Sequence, residues 1–271
     1  MNHHVKIENS LPDVELSKFV KEFVYLTIDS SEKQSIVAID DGCYDFMFYK
    51  EKKANLFFGK ANSAKINHQI FTVHQASPPL KYNFGKRLSF FTIKVQPWAN
   101  SYFFPNHFKN PIVPLSLIYG NKIDKIQELL FECATFKEKV QLAKRFIREI
   151  LPKTNEHLEL IKRVCQDIYR KHGMVTVQEL ADKYRLNRQF LNKIFYQLVN
   201  YTIKRFIIIV RIMNLAKFKI NHAHLSLTEV ALEFGYYDQA HFNYDFKRIS
   251  GVTPTFFFKN LPPFFIRHKK N

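Results

Sequence analysis

A hydroxyl side chain precedes a glutamate by three residues at two places in the chain. Thr176 stands before Glu179, and Ser226 stands before Glu229, fifty positions further on. In this spacing the hydroxyl accepts a hydrogen bond from a backbone N–H of the first helical turn. The carboxylate in turn accepts one from the backbone N–H of the capping residue. Each pair therefore predicts the start of a helix.

The residues around these pairs form an internal repeat. "TVQELADKYRLNRQFLNKIFYQLVNYTIKRF" (176–206) aligns with "SLTEVALEFGYYDQAHFNYDFKRISGVTPTFF" (226–257) at a spacing of fifty or fifty-one residues. A second helix is expected further along each copy, capped by Asn187 or Asp238. Two short helices joined by a tight corner indicate a helix-turn-helix. The chemistry expected at the capped start of the second helix is phosphate binding, because backbone N–H groups and the positive end of the helix dipole point outward there.

The corner between the two helices differs between the copies. Gly235 supplies the positive φ that the corner of the second copy requires. Arg185 occupies the equivalent place in the first copy, where it should cost about 1 kcal/mol relative to glycine. Ala181 and Ala231 stand where the second helix has to cross close over the first.

The apolar positions of the second helix correspond between the copies, although the match is partial. They are Phe190, Leu191, Ile194, Phe195 and Leu198 in the first copy, and His241, Phe242, Asp245, Phe246 and Ile249 in the second. His241 and Asp245 break the apolar pattern, but the spacing holds.

Basic residues are concentrated in the part of the chain that holds the repeat. The whole chain of 271 residues carries 41 basic and 24 acidic residues, a formal net charge of +17. Residues 158–271 contain 19 basic and 8 acidic residues, a net charge of +11. A basic domain attracts polyanions, chiefly nucleic acid or an anionic membrane. The alternative explanation is a proteome whose average protein is rich in lysine.

The residue types of enzyme and metal sites lack the spacing that such sites need. Cys43, Cys133 and Cys165 are far apart, so they predict neither a disulfide framework nor a metal pair, and a reducing compartment fits them best. There is no Gly-rich phosphate loop and no pairing of Cys with His. We therefore expect no metal, no cofactor and no enzyme activity.

Neither the start of the chain nor its most apolar run predicts a membrane segment. The first residues lack a positive stretch followed by an apolar run, so no signal peptide is expected. The run "FIIIV" (206–210) is flanked by Arg205 and Arg211 and is too short to span a bilayer. The chain is therefore expected to be cytoplasmic.

Before residue 97 the pattern favours strands. Short segments rich in β-branched and aromatic residues occur at 35–40, 44–50, 55–60, 69–75 and 88–96. Such spacing suggests a cupin-like antiparallel barrel or sandwich. Asp40, Asp41 and Asp45 cluster near Gly42, which is typical of a solvated turn.

The second half of the chain has a helical pattern. Apolar residues at three- and four-residue steps predict two amphipathic helices over 121–150. Residues 151–156 are the best linker candidate, and everything after them is expected to be helical. The fold class is therefore α+β, with a β-rich sensor or dimerisation domain over 1–150 and an all-α domain over 158–271.

Residues from about 158 to 260 resemble the DNA-binding domain of the AraC/XylS family of bacterial transcription regulators. The likeness is carried by "EVA", "GY", "HF", "FK" and the closing Gly-x-Thr-Pro within 226–254. In that family one long helix joins two helix-turn-helix units, and "NYTIKRFIIIVRIMNLAKFKI" (200–220) fits such a helix. "DDGCYDFMF" and "LSFFTIKVQPWANSYFF" more weakly resemble segments of a β-rich sensor domain found in one branch of the family.

The resemblance implies which side chains face DNA. They are Arg188, Gln189, Asn192 and Lys193 in the first recognition helix, Gln239, Ala240, Asn243 and Tyr244 in the second, and Lys204, Arg205, Lys247 and Arg248 as candidates for backbone phosphates. Gln and Asn can bind adenine through two hydrogen bonds, whereas Arg and Lys suit guanine or phosphate. The family often has arginine where Tyr244 stands, so the second unit is expected to discriminate less between sequences.

The expected function is that of a transcriptional regulator that places two recognition helices in successive major-groove segments of promoter DNA. The resemblance adds an unidentified small-molecule effector, a homodimer and RNA polymerase as candidate partners. Two alternatives stay open. One is an enzyme or repair activity in the β-rich domain, although Cys43 lies between acidic residues that disfavour a reactive thiolate. The other is a protein-interaction adaptor that binds no DNA.

Overall fold

The computed structural model describes residues 4–32, 34–50, 54–58, 62–66, 69–74, 80–105, 107, 108 and 110–269. The chain folds as two compact units. The first is built from most of residues 1–154, and the second from residues 155–271 together with residues 37–42. Residues 37–42 thus lie inside the predicted 1–150 domain in sequence but pack with the second unit.

The first unit contains the strands and four helices. Its strands are β1 (His4–Ser10), β2 (Val20–Asp29), β3 (Gln34–Ala38), β4 (Asp45–Tyr49), β5 (Ala54–Phe58), β6 (Asn62–Ile66), β7 (Ile70–Val73), β8 (Leu80–Phe84), β9 (Arg87–Val95) and β10 (Ile112–Pro114). Its helices are α1 (Asn100–Phe103), α2 (Ser116–Tyr119), α3 (Lys122–Glu132) and α4 (Phe136–Glu149).

The strands form two sheets. A six-stranded sheet has the order β1-β2-β9-β4-β7-β10, and a four-stranded sheet has the order β3-β8-β5-β6. Strand β9 runs antiparallel to both of its neighbours, with Leu26 opposite Phe90 on one side and Phe48 opposite Phe91 on the other. The described strands do not close into a barrel, so of the two predicted forms the sandwich is the one observed.

The two faces of strand β4 have different partners. Phe46 is fully buried against the rings of Phe104 and Phe146, which lie on the helical side of the sheet. Met47 points the opposite way, as alternation along a strand requires, and its sulfur accepts a hydrogen bond from the Tyr82 hydroxyl of the second sheet at 3.7 Å. The core of the first unit therefore lies on both sides of the larger sheet.

The predicted pair of amphipathic helices over 121–150 is confirmed as α3 and α4. Thr135 and Glu138 form a capping box at the start of α4. The Lys139 ammonium is buried and donates hydrogen bonds to the carbonyl oxygens of Leu130 and Cys133 at the end of α3. Burial lowers the pKa of Lys139, yet its charge supplies the donors that the last turn of α3 needs.

The strand predictions are confirmed in position but incomplete. Strands β1, β2, β6, β8 and β10 were not predicted, and residues 59–60 and 75 of two predicted strands lie outside the described residues. Strand β3 ends at Ala38, and the residues that follow it do not form the solvated turn expected around Asp40. Asp40 instead accepts hydrogen bonds from the Tyr201 hydroxyl in the second unit.

The second unit is helical, as predicted. Its helices are α5 (Leu158–Arg170), α6 (Val177–Tyr184), α7 (Arg188–Val199), α8 (Ile203–Asn221), α9 (Leu227–Glu233), α10 (Gln239–Ser250), α11 (Pro254–Lys259) and α12 (Pro263–Ile266). Among the described helices none is both long and apolar enough to cross a membrane.

Helix α8 is buried around its circumference. Ile203, Phe206 and Val210 are buried along the predicted face, and Ile208, Ile209 and Ile212 on the other sides are buried too. Four helices pack against α8, namely α5, α7, α9 and α10. A helix that is apolar all round has to be covered all round, so the "FIIIV" run is the core of this unit.

Gly173 lies in the loop after α5, close to the backbone of α8. Its φ is +75°, and a Cβ added there would lie 2.6 Å from the backbone nitrogen of Arg211 and from the carbonyl oxygen of Ile207. The Arg211 guanidinium donates a hydrogen bond to the Gly173 carbonyl at 2.8 Å. The position therefore requires glycine for both its backbone conformation and its space.

We predict that Gly173→Ala lowers the free energy of unfolding by about 2 kcal/mol or more, since it adds a backbone clash to the cost of a left-handed residue. Gly235→Ala is the matched control. Its φ is +69°, but the nearest atom to the added Cβ is the Met174 sulfur at 3.9 Å, so only the conformational cost of about 1 kcal/mol applies. Urea unfolding of the full chain followed by far-UV circular dichroism measures both. Equal losses for the two variants would contradict the close approach.

Candidate nucleic-acid interface

Both predicted capping boxes are present. The Glu179 N–H donates to the Thr176 hydroxyl at 3.1 Å, and the Thr176 N–H donates to the Glu179 carboxylate at 2.6 Å. In the second copy the Glu229 N–H donates to the Ser226 hydroxyl at 3.1 Å, and the Ser226 N–H donates to the Glu229 carboxylate at 2.7 Å. Hydrogen bonds from the backbone of Thr176 and Ser226 hold the pKa of each glutamate below its ordinary value.

The turns after α6 and α9 have the same hydrogen bond. Arg185 and Gly235 both have left-handed backbones, with φ of 53° and 69°. Immediately after them, the Leu186 N–H donates to the Ala181 carbonyl at 2.9 Å and the Tyr236 N–H donates to the Ala231 carbonyl at 3.0 Å. This bond, from the residue after the left-handed position back to the last turn of the helix, closes both helices in the same way. The cost predicted for Arg185 therefore has a structural basis.

The second helix of each copy starts from a capped N-terminus. The Asn187 side chain accepts a hydrogen bond from the Gln189 N–H at 2.7 Å, and the Asp238 side chain accepts one from the His241 N–H at 2.7 Å. The turn of the second copy is one residue longer, and the extra residue is Tyr237, which is 88% exposed. This extra residue accounts for the change in spacing between the copies from fifty to fifty-one residues.

The two alanines predicted at the helix crossings, Ala181 and Ala231, are buried as expected. Ala181 and Ala231 are fully buried, and α6 packs against α7 as α9 packs against α10. Most of the apolar positions matched between the copies are buried, but the first of them is not: Phe190 is 43% exposed and His241 is exposed as well. The prediction that Phe190 belongs to the buried apolar face is wrong: Leu191 beside it is fully buried, whereas the Phe190 ring is only partly covered, with the His157 ring at 6.0 Å.

The side chains predicted for the first recognition helix lie on the outside of α7. Arg188, Gln189 and Lys193 are exposed, and Asn192 is half-buried. The Asn192 amide nitrogen donates to the Arg188 carbonyl at 3.0 Å, which leaves its amide oxygen available. Tyr196, which sequence reasoning did not single out, extends the same surface and is 45% exposed.

The side chains predicted for the second recognition helix are more engaged within the protein. The Gln239 amide oxygen accepts a hydrogen bond from the Thr228 hydroxyl at 2.7 Å. The Asn243 amide oxygen is shielded from solvent, so this residue cannot offer both of its amide atoms to a base. Ala240 is exposed, and the exposed ring of Tyr244 lies beside the Arg248 guanidinium at 5.7 Å.

Two buried aspartates, Asp167 in α5 and Asp245 in α10, form ion pairs with nearby basic side chains. Asp167 accepts hydrogen bonds from Lys183 and from the Tyr184 hydroxyl, and it pairs with Arg170 at 2.9 Å. Burial alone would raise the pKa of Asp167, but these hydrogen bonds and positive charges hold it below its ordinary value. Asp245 is placed similarly in α10, where Arg248 pairs with it at 3.3 Å.

The phosphate candidates at the start of α8 differ in their surroundings. Lys204 is exposed. Arg205 is half-buried, with its guanidinium 3.6 Å from the Asp40 carboxylate and 5.7 Å from the Tyr201 ring. Both Asp40 oxygens accept the Tyr201 hydroxyl at 2.9 Å. Lys247, in the last turn of α10, is exposed.

A family model described as "Helix-turn-helix domain" matches residues 180–260, from α6 to the end of α11. Residues 180–260 form an AraC-type helix-turn-helix domain. The resemblance expected from the sequence is confirmed for this part of the chain. Within the AraC-type domain, the closing Gly-x-Thr-Pro has a structural role: Gly251 ends α10 with a left-handed backbone, Thr253 caps α11, and Pro254 is its first residue.

The chain is also similar to individual proteins. It is 28% identical over 141 residues to the Msm operon regulatory protein of Streptococcus mutans, an alignment that covers 51% of this chain and 50% of that protein. The chain thus spans about half the length of the curated relative it matches.

Two solved structures show lower identity. ToxT from Vibrio cholerae is 12% identical with a TM-score of 0.46, covering 95% of this chain and 98% of that one. The C-terminal domain of AraT, a response regulator from Geobacillus stearothermophilus, is 20% identical with a TM-score of 0.34, covering 37% and 84%.

Replacing Arg185 by glycine is predicted to raise the free energy of unfolding by up to about 1 kcal/mol, because glycine adopts the left-handed backbone without strain. Arg185→Ala is the control: it removes the same charge but keeps the Cβ, so it should leave the stability nearly unchanged. The measurement is again urea unfolding of the full chain. A gain of the same size in both variants would show that the charge, not the backbone, is responsible.

Proposed function

We propose that the chain is a sequence-specific DNA-binding transcriptional regulator. The observation that carries the proposal is the repeated AraC-type unit, in which two capped helices, α7 and α10, follow the same capping box, buried alanine and left-handed turn. The net charge of +11 over residues 158–271 supports a polyanionic partner. Such a pair of units would place α7 and α10 in major-groove segments one helical turn, about 34 Å, apart.

The proposal is tested by selecting duplexes from a random library with the full chain and measuring the affinity of the selected DNA against salt. Each phosphate neutralised by Lys or Arg adds about −0.9 to the slope of log K against log salt, so binding should weaken steeply. An affinity that does not change between low and moderate salt, or failure to select any sequence, would contradict the proposal.

The two recognition helices should contribute unequally to specificity. Gln189 is exposed, and its side chain makes no hydrogen bond to another described residue. The Gln239 amide oxygen, in contrast, already accepts a hydrogen bond from the Thr228 hydroxyl. We predict that Gln189→Ala lowers the preference for the selected base at one position by about 1–3 kcal/mol, the usual value of a good bidentate contact. Gln239→Ala should change preference less. Competition binding with point-substituted duplexes measures both, and a larger effect at Gln239 would contradict the prediction.

Two neighbouring basic residues at the start of α8, Lys204 and Arg205, should contribute unequally to DNA affinity. Lys204→Ala is predicted to weaken binding to all sequences alike and to reduce the salt slope by about one. Arg205→Ala should have a smaller effect, because Asp40 already neutralises much of the Arg205 charge. Titrations of both variants on selected and unrelated duplexes measure the difference. A change in base preference by Lys204→Ala would show that it does more than contact the backbone.

We further propose that the β-rich unit senses a small molecule or mediates dimerisation, and that promoter-bound protein acts on RNA polymerase in the cytoplasm. This assignment is supported because one chain contains both a two-sheet unit and an AraC-type domain. No enzyme activity is proposed. Among the described residues no group of three or more His, Cys, Asp or Glu side chains is arranged to hold a metal ion. Melting-temperature shifts against a panel of metabolites test for the effector.

A further inference from the structure

Strand β1 is an open edge of the six-stranded sheet. It pairs on one side with β2, in an unbroken antiparallel register from His4 opposite Asp29 to Ser10 opposite Phe23. Among the described strands none pairs with its other side. In such a strand the N–H and C=O groups of alternate residues point away from the neighbour and are available to another strand.

This edge lacks three features that commonly prevent strand pairing, namely shortness, proline and a β-bulge. The opposite edge of the sheet, β10, has only three residues and ends in Pro114, which shortens it and removes a backbone donor. Strand β1 has seven residues, no proline and no bulge, and none of its residues is buried. A regular, accessible strand of this length is competent to add a further strand.

The charges on β1 have a two-fold arrangement about Ile7. Lys6 and Glu8 lie on the same face of the strand, opposite Thr27 and Tyr25 of β2, and form an ion pair with each other at 2.9 Å. The side chains of Lys6 and Glu8 are 60% and 32% exposed. An edge protected by charge repels a second copy when the charges have one sign, whereas here the two signs are placed symmetrically.

We propose that β1 pairs antiparallel with β1 of a second copy, with Ile7 opposite Ile7, so that the two larger sheets join into one continuous sheet. In that register Lys6 of each copy lies directly opposite Glu8 of the other, and the same contact forms twice, as a two-fold interface requires. Opposite charges directly across an antiparallel pair stabilise it, and like charges destabilise it. Val5 lies opposite Asn9, and His4 opposite Ser10, so no other charged pair is created.

The proposal rests on the dimerisation proposed for the β-rich unit and specifies its interface, but it does not depend on DNA binding, so its test uses the full chain freed of nucleic acid. Sedimentation velocity at low ionic strength measures the dimerisation of the wild type, of Lys6→Glu and of Glu8→Lys. Each single variant places like charges opposite each other twice, so its dimerisation should be weaker by about tenfold or more. Added salt should weaken the wild-type dimer, since exposed charges are screened.

A mixture of the two single variants tests the proposed register most directly. One chain then carries two glutamates and the other two lysines, so both cross-strand pairs are complementary only in the heterodimer. Capture of untagged Lys6→Glu protein by tagged Glu8→Lys protein, at wild-type strength, supports the proposed register. Lys125→Glu, on an exposed position of α3 in the same unit, is the control and should dimerise like the wild type.

Three results would overturn the proposal: a wild-type chain that stays monomeric up to its solubility, single variants that dimerise as well as the wild type, or a mixture that stays monomeric. Far-UV circular dichroism of each variant checks that the strands are retained. The double variant Lys6→Glu with Glu8→Lys gives an additional measurement, because it restores complementary pairs within a single species and should dimerise like the wild type.

Discussion

Burial of helix α8 is the interaction on which the second unit depends. Its central residues Phe206–Val210 are buried on every side, so helices from both copies of the repeat have to pack against it. This constraint fixes the two copies to one rigid element and explains why the most apolar run of the chain lies between them. It also accounts for Gly173, whose missing side chain lets the loop after α5 reach the backbone of α8.

The two copies of the repeat have similar backbone conformations but differ in the side chains that α7 and α10 expose. The same capping box, buried alanine and left-handed turn recur, so the position of the second helix is set in the same way in both. On that common frame α7 carries exposed polar and basic side chains, while the side chains of α10 are occupied by Thr228, by burial or by Arg248. The copy whose sequence most clearly indicates the family is therefore the one whose polar side chains have more partners within the protein.

Much of the second unit could be predicted from the sequence because its determinants are local. Caps, turns and apolar spacing act over three to five residues, and these placed the repeat. The linking helix and the candidate surface were expected from the family resemblance instead. Arg205 was harder to interpret, because its partner Asp40 lies more than 160 positions earlier and no local pattern relates them. Phe190 has the spacing of a core residue, but spacing does not show how much of a ring the neighbouring helices cover: Phe190 is 43% exposed, whereas Leu191 is fully buried.

The first unit was less predictable, since strand pairing joins distant residues. The alternation of β4 and β9 identified them as strands, but their sequence does not say that β1 and β2 belong to the same sheet, nor which of the two predicted forms, barrel or sandwich, the sheets adopt. Edge strand β1 has few apolar residues because it covers little core, so it was missed by a pattern that depends on burial.

The central claim, that both copies bind one duplex, is tested most directly by hydroxyl-radical footprinting of the full chain on a selected duplex. Two protected patches about one helical turn apart, on the same face of the DNA, are the predicted result. A single protected patch, or protection on opposite faces, would contradict the account, because α8 would then not be holding two recognition helices for the same DNA.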